Sequence, residues 1–319
     1  MSRVLKSPGQ LVRAVVDDLA TTFFPADCRV CGGPLTGAGV SPLCKECVES
    51  LREQTAELCA RCGEALDLDG LRFTRQIEGE AVLCGPCRQV PPEFERAAAW
   101  GEYNAGMREA IQLLKFERMG TVARPLGKLL ARVIERMACE PTLAAGGGED
   151  GAPGSSGQRM ARMPRELTVI AVPLSAAKQR RRGYNQSVLL ANEAMRALED
   201  SGAWSLRAGH RAMVRTRETE SQFGLSSHAR RRNLRGAFTV TDPDAVSGRA
   251  VLLIDDIYTT GATARECARV LRQAGAAEVW VATVARAQKE MVTLWNTATM
   301  RRNEATARPS RDEAEAATG

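Results

Sequence analysis

Aromatic residues make up 4% of the 319 residues, histidine occurs twice, and no apolar run approaches the length of a membrane span. Each shortage excludes something. A spanning helix needs about 20 consecutive apolar residues, so no membrane span is expected. The N-terminus lacks the compact apolar region and small-residue cleavage site of a secretory signal, so the expected location is cytoplasmic. His210 and His228 are isolated and receive no role as a base. Without a matched histidine, Cys139 and Cys267 read as small buried or incidental residues rather than nucleophiles. Single-strand nucleic-acid binders pair basic grooves with aromatic platforms, and the few aromatics here do not interleave the arginines. The chain also has no G-x-x-x-x-G-K-[ST] loop and no Rossmann fingerprint, which removes the two commonest nucleotide-binding motifs.

What is present fits a globular protein large enough for one large or two smaller domains, with 44% hydrophobic residues. The balance of 44 Lys+Arg against 38 Asp+Glu gives a net charge of +6. That charge bears on solubility and on attraction to polyanions, but does not alone mark a nucleic-acid binder.

Cysteine is plentiful and grouped. Eight of the ten cysteines form four C-x-x-C pairs: Cys28 and Cys31, Cys44 and Cys47, Cys59 and Cys62, Cys84 and Cys87. Clustered pairs in one short region of a long chain point to metal rather than to a disulfide scaffold. Two knuckles complete a closed tetrahedral Zn²⁺ site, so eight thiolates predict two structural zincs. Gly32, Gly63 and Gly85 suit tight knuckle turns. Pairing in sequence gives two stacked ribbons and interleaved pairing a cross-brace; the spacing alone is compatible with both, and the ribbons are the preferred arrangement. Zinc there substitutes for a core too small to hold the region together, while contact with DNA is the alternative use.

The most informative stretch is Val251-Leu-Leu-Ile-Asp-Asp-Ile-Tyr-Thr-Thr-Gly-Ala-Thr263. Val251 to Ile254 read as a strand buried on both faces, and Asp255 and Asp256 are expected to end it at the carboxyl edge of the sheet. Thr259, Thr260, Gly261, Ala262 and Thr263 then form a small-residue turn, followed by a helix from Ala264 to Gln273. Such a turn points backbone N–H groups at one spot, and the helix N-terminus adds attraction for a phosphate. Carboxylates accept hydrogen bonds from sugar hydroxyls, so the stretch is suited to a ribose 5-phosphate. A Walker B strand shares the apolar run and acid pair, but it requires the missing P-loop.

Elsewhere, residues 1–27 carry an amphipathic N-terminal helix and 28–90 the cysteine region. Residues 91–286 then hold strands near Glu95 to Tyr103, Leu167 to Val172, Ala212 to Arg215, Ala237 to Thr241 and Glu278 to Ala285. Helices lie between them, with a Gly-, Ser- and Pro-rich flexible insertion at about 141–164. The tail, 287–319, reads as polar and disordered. After the strand ending at Val172 comes a cationic segment with Lys178, Arg180, Arg181 and Arg182, able to grip a diphosphate or to be a solvated basic helix start. The connection from Thr216 to Arg235 is long enough for a lid.

Several spaced motifs together resemble one family. Val251 to Thr263 is similar to the phosphoribosyl-pyrophosphate signature of type I phosphoribosyltransferases. With it stand the cysteine pairs, Tyr103-x-x-Gly106 with Lys115, Arg182-Gly-Tyr-Asn-Gln186, and Arg215-x-Arg217-x-Thr219-x-x-Gln222-x-x-Leu225 with Arg230 and Asn233. Taken in order, from about Phe24 to Arg286, they resemble the ComF family. The resemblance implies an α/β fold, a type I phosphoribosyltransferase-like, mostly parallel sheet flanked by helices, behind a small N-terminal double zinc ribbon. It also implies a link in some bacteria to DNA uptake during natural transformation. The implied ligand is phosphoribosyl pyrophosphate with Mg²⁺. Asp255 and Asp256 are expected at the ribose diol and Thr259 to Thr263 at the 5-phosphate. Lys115 and Lys178 are expected among the substrate-binding residues, and Arg182, Arg215 and Arg230 at the departing charge. The competing expectation is a non-catalytic competence protein that binds single-stranded DNA, or other competence proteins, and uses the fold as a scaffold. The Gly-rich insertion and the long tail depart from the family pattern and inherit no role from it.

Overall fold

The structure is a computed structural model that describes residues 26–35, 41–66, 81–116, 119–143, 160–218 and 232–288. The expected N-terminal helix, most of the insertion, most of the expected lid with Arg230, and the tail beyond 288 lie outside the described residues.

Along the chain the strands are β1 (Arg96–Glu102), β2 (Thr142–Leu143), β3 (Met160–Ala161), β4 (Glu166–Ala171), β5 (Ser205–Ala208), β6 (Met213–Arg215), β7 (Phe238–Val240), β8 (Ala250–Tyr258) and β9 (Glu278–Arg286). The helices are α1 (Lys45–Glu49), α2 (Gly85–Gln89), α3 (Ala105–Phe116), α4 (Ala123–Cys139), α5 (Ala176–Arg182), α6 (Gln186–Glu199) and α7 (Ala262–Gln273). The sheet is parallel throughout, in the order β1-β9-β8-β4-β5. This is the expected α/β class, a parallel sheet flanked by helices. Strands β8 and β9 are apolar on both sides because both faces are covered, the usual state of a parallel sheet.

One face packs on α3, α4 and α6. Met107, Ile111, Leu114, Leu126, Leu130, Ile134, Leu190 and Leu198 recur at helical spacing and meet Leu252, Ile254 and Trp280 of the sheet. The other face packs on α7, on the β6–β7 hairpin and on Cys59, Cys62, Cys84 and Cys87, which share a core with Val251, Leu253 and Tyr258. The cysteine region is therefore part of the main body.

The strand order places a switch point between β4 and β8. From β4 the chain moves outward to β5 at one edge, whereas from β8 it moves the other way to β9. Neighbouring strands whose connections diverge leave a crevice at their carboxyl ends, where open α/β sheets take ligands.

Three expectations need correcting. Strand β8 continues through the acid pair to Tyr258, because Asp255, Ile257 and Tyr258 still pair with Thr283, Ala285 and Arg286 of β9. The following helix starts at Ala262, two residues early. The ends of the insertion are not loop: β2 and β3 pair antiparallel. Strand β5, half polar and only four residues long, gave too weak an alternation to be read in advance.

A buried charge cluster joins the cysteine region to the sheet. Glu95 is 2% exposed. It pairs with Arg272 of α7 and, at 3.8 Å, with Arg61. Arg61 also donates to the carbonyls of Phe94 and Glu95, at 3.0 Å each. Glu95→Ala removes the buried carboxylate that both Arg61 and Arg272 face. The substitution should cost about 3 kcal/mol or more, read as a lower urea midpoint at unchanged slope.

Candidate functional site

Two segments meet at the crevice between β4 and β8. The first is 172–186, delivered by β4. Ser175 caps α5 by accepting from the Lys178 N–H at 3.5 Å, and Gly183, at φ 82°, ends that helix. Asn185 starts α6 by accepting from the Ser187 N–H at 2.9 Å, and its Nδ2 donates to the Val172 carbonyl at 3.0 Å. The loop is thereby folded back against the strand it left. Tyr184 ties it to α3 by donating to the Leu114 carbonyl at 2.5 Å. Arg182 donates to Gln186 Oε1 at 2.6 Å, and its guanidinium carbon lies 5.1 Å from the centroid of the exposed Phe116 ring.

The second segment is the end of β8. Asp256, 5% exposed, forms an ion pair with Lys115 at the end of α3 and accepts from Gln186 Nε2 at 3.4 Å. Asp255 accepts from Ser187 Oγ and from the Asp256 N–H, both at 3.0 Å. Burial, then the adjacent Asp256 carboxylate, push Asp255 up to about 8. Burial also works to raise Asp256, but Lys115 outweighs it and holds that carboxyl below its ordinary value. The two acids are thus unequal: Asp256 stays ionised, while Asp255 keeps a proton through neutral pH.

Gly261 makes the turn beyond them possible. Its φ of +73° suits glycine, and a Cβ there would lie 2.1 Å from the Tyr258 hydroxyl oxygen. Thr260 Oγ1 is shielded from solvent and has no hydrogen-bond partner among the described residues. A hydroxyl left in this state at a helix start suits an oxyanion ligand.

Opposite the acids, the cations converge. Lys178 is pushed down by burial and then by Arg215, Arg182, Lys115 and Arg181, which surround it with like charge. Arg182 Nε is buried without a partner among the described residues. The structure therefore brings Asp255, Asp256, Lys115, Lys178, Arg182 and Arg215 to one edge of the sheet, with Thr259 to Thr263 beside them. Arg230 lies outside the described residues. Arg217 donates to the carbonyls of Asn233 and Arg235, at 2.6 and 3.1 Å, and so draws together the two ends of the expected lid.

Ser187, Gln186 and Phe116 had no assigned role in the sequence. The first two stand directly after Arg182-Gly-Tyr-Asn, at the start of a helix entering the crevice, and that position was their only signal. Phe116 had none, because a helix-terminal phenylalanine looks the same whether it is buried or exposed.

The cysteines form two separate groups, Cys28, Cys31, Cys44 and Cys47, and Cys59, Cys62, Cys84 and Cys87, in each of which all sulfurs lie within 4.8 Å of one another. Pairing follows the sequence order, as in two ribbons. Four thiolates about 2.3 Å from a common zinc lie roughly 3.8 Å apart. The Cys28–Cys47 and Cys31–Cys44 sulfurs are 3.7 Å apart and the Cys62–Cys84 sulfurs 3.6 Å, so both groups fit that ion. Backbone N–H groups of Cys44 and Cys84 point at Cys28 and Cys59 sulfurs, at 3.3 and 3.2 Å. Gly32 and Gly63 take positive φ in their knuckles; Gly85 does not, because it opens α2. The second group is buried throughout, whereas Cys31 of the first is exposed.

Asp255 gives a pH prediction with a definite sign. A carboxyl whose folded pKa is raised binds a proton that the unfolded chain releases between about pH 4 and 8, so its contribution to stability declines as pH rises through that window. Asp255→Asn should therefore raise the melting temperature increasingly from pH 5 to 8, with the gain levelling off above 8.

A family model described as a double zinc ribbon domain matches residues 19–88. The DNA utilization protein YhgH of Escherichia coli is 32% identical over 257 residues, which is 81% of this chain and 95% of that protein. Competence protein F of Haemophilus influenzae is 28% identical over 83% of this chain and 99% of its own length. Competence protein ComFC of Bacillus subtilis is 30% identical over 35% of this chain and 41% of its own. A solved allosteric regulatory enzyme of purine biosynthesis overlaps 54% of this chain and 29% of its own, at 19% identity and a TM-score of 0.30, too slight a likeness to carry an argument. No helix among the described residues is long and apolar enough to cross a membrane. With the two cysteine groups, the crevice motifs and a relative matched over nearly its whole length, this chain belongs to the ComF family, which includes YhgH and competence protein F.

Proposed function

We propose that the chain is a phosphoribosyltransferase of type I-like fold that binds phosphoribosyl pyrophosphate with Mg²⁺ in the crevice between β4 and β8. The observation that carries this reading is the meeting, at one sheet edge, of a buried acid pair, a positive-φ turn with an orphaned threonine hydroxyl, and cations crowded around Lys178. Like charges gathered at such a cost need an anion between them.

In this reading Asp255 and Asp256 accept hydrogen bonds from the ribose hydroxyls, with Ser187, Gln186 and Lys115 holding the carboxylates in place. Thr259 to Thr263 donate to the 5-phosphate. Lys178, Lys115, Arg182, Arg215 and Arg230 face the diphosphate and neutralise it as the C1–O bond breaks and the acceptor's electron pair bonds to C1. Magnesium, when bound with the ligand, would be held near Asp255 and Asp256 and would supply positive charge to offset the diphosphate; Lys115 already pairs with Asp256, so Asp255, on giving up its proton, would be the carboxylate nearer to hand. In the same reading the reaction takes place in the cytoplasm and is linked to DNA uptake in natural transformation, a link supported by relatives named as a DNA utilization protein and a competence protein. Units of 28–90 for the zinc ribbons and 91–286 for the transferase fold belong to the same proposal.

Isothermal calorimetry of phosphoribosyl pyrophosphate with Mg²⁺ is the test. The wild type should give heat, and Asp255→Asn with Asp256→Asn should weaken binding by roughly 100-fold, since the charged acceptor Asp256 and the carboxyl of Asp255 are both replaced. No heat with the wild type, or equal heat from the double variant, would overturn the proposal.

A second reading is favoured by the name of one relative, a DNA utilization protein: the chain binds single-stranded DNA through its ribbons and arginines, and the transferase fold is a scaffold. Affinity for an oligonucleotide should then fall steeply as salt rises, by roughly 0.7 log unit of affinity per log unit of salt for each phosphate neutralised. Undetectable binding at low salt, or a flat salt response, excludes this mode.

A further inference from the structure

The buried cysteine group lies on the same sheet face as the turn, in one core with Val251, Leu253, Tyr258 and Ala262. Two arginines link the metal site to the turn. Arg265, in the first turn of α7, donates to the Val90 carbonyl at 2.6 Å and to the Cys87 sulfur at 3.6 Å. Its backbone N–H donates to the Gly261 carbonyl at 2.9 Å. Arg286, at the end of β9, is 3% exposed; it donates to the Cys62 carbonyl, to Glu64 and, at 3.6 Å, to the Cys62 sulfur. Its guanidinium carbon stands 4.4 Å from the centroid of the Tyr258 ring. Tyr258 in turn fills the space that a side chain on Gly261 would need. Both lines from the cysteine sulfurs end at Gly261. The other cysteine group sits differently: its neighbours Leu43 and Leu51 join the core on the α3 and α4 side of the sheet.

We infer that Arg265 and Arg286 are positioning residues, each donating to a thiolate of the buried four-cysteine group and together setting the backbone at Gly261, so that this metal site and the turn are coupled. The chemistry follows from charge. Zinc keeps its sulfurs as thiolates, which are strong acceptors for guanidinium groups, and hydrogen bonds from such outer partners in turn orient the ligands. Loss of the metal would free the sulfurs to which both arginines donate; Arg265 would then hold α7 less firmly, and Arg286 would no longer fix the ring beneath Gly261. The inference goes beyond ligand identity; only its effect on affinity rests on reading Thr259 to Thr263 as a phosphate turn.

Hydrogen–deuterium exchange of the full zinc-loaded protein tests it without any ligand. In Arg265→Gln the amides of residues 259–265 should exchange about tenfold faster than in wild type, which corresponds to a loss of local stability of about 1.4 kcal/mol. Arg269→Gln, on the same helix but paired with Glu266 instead, should exchange as wild type does. Release of zinc to a chromophoric chelator should be biphasic, and Arg265→Gln should speed the slower phase alone. Wild-type exchange in Arg265→Gln with unchanged release of both zincs would overturn the coupling. Calorimetry with phosphoribosyl pyrophosphate separates the two ideas. If exchange and release change as expected but the wild type gives no heat, the coupling stands and the phosphoribosyl reading falls. If the ligand binds but exchange and release are unaltered, the reverse holds.

Discussion

Holding two adjacent carboxylates, Asp256 buried and Asp255 partly so, at the end of a parallel strand is the constraint on which this structure turns. Neither acid can leave water without compensation. Lys115 supplies it for Asp256, which requires α3 to end at the crest of the sheet. Ser187 supplies a smaller share for Asp255, which requires α6 to begin there. Asp255 is left part way, protonated through neutral pH by burial and by its neighbour. The helices on that face are placed by their apolar stripes, yet their ends are placed by the acids.

The opposite face shows a different solution to the same shortage of core. Short ribbon loops carry few apolar side chains, and their cysteines act both as metal ligands and as buried residues of the sheet's own core. Charged groups sewn between the layers, Arg61 with Glu95 and Arg272, and Arg286 with Glu64, join ribbon to sheet. Such pairs need good geometry to repay their desolvation, and they fix one arrangement of the layers. The metal region thereby supports the crevice, with Arg265 and Arg286 reaching from the sulfurs toward the turn.

Much of this was legible in the residues. Runs such as Val251 to Ile254 and Leu167 to Val172 read as buried strands, and the C-x-x-C spacing pointed to a metal framework. Gly261 announced its turn because few other residues tolerate that backbone. Less visible was where β8 ends: the acid pair looked like a terminus, and only pairing with β9 shows that the ladder continues. The order of the strands was hidden too, because no local signal tells β4 that its neighbour will be β8. Lys115 and Lys178 could be named from motifs, but their crowding with Arg182 and Arg215 depends on four segments far apart in the chain. Ser187 and Phe116 were silent for the same reason, since their significance lies in what the fold sets opposite them.

The most direct measurement is a crystal structure of the zinc-loaded protein soaked with phosphoribosyl pyrophosphate and Mg²⁺. The expected density has the 5-phosphate on the amides of Thr259 to Thr263, the ribose hydroxyls at Asp255 and Asp256, and the diphosphate among Lys178, Arg182 and Arg215. An empty turn at saturating ligand, or density bound away from the β4–β8 crevice, would contradict the site described here.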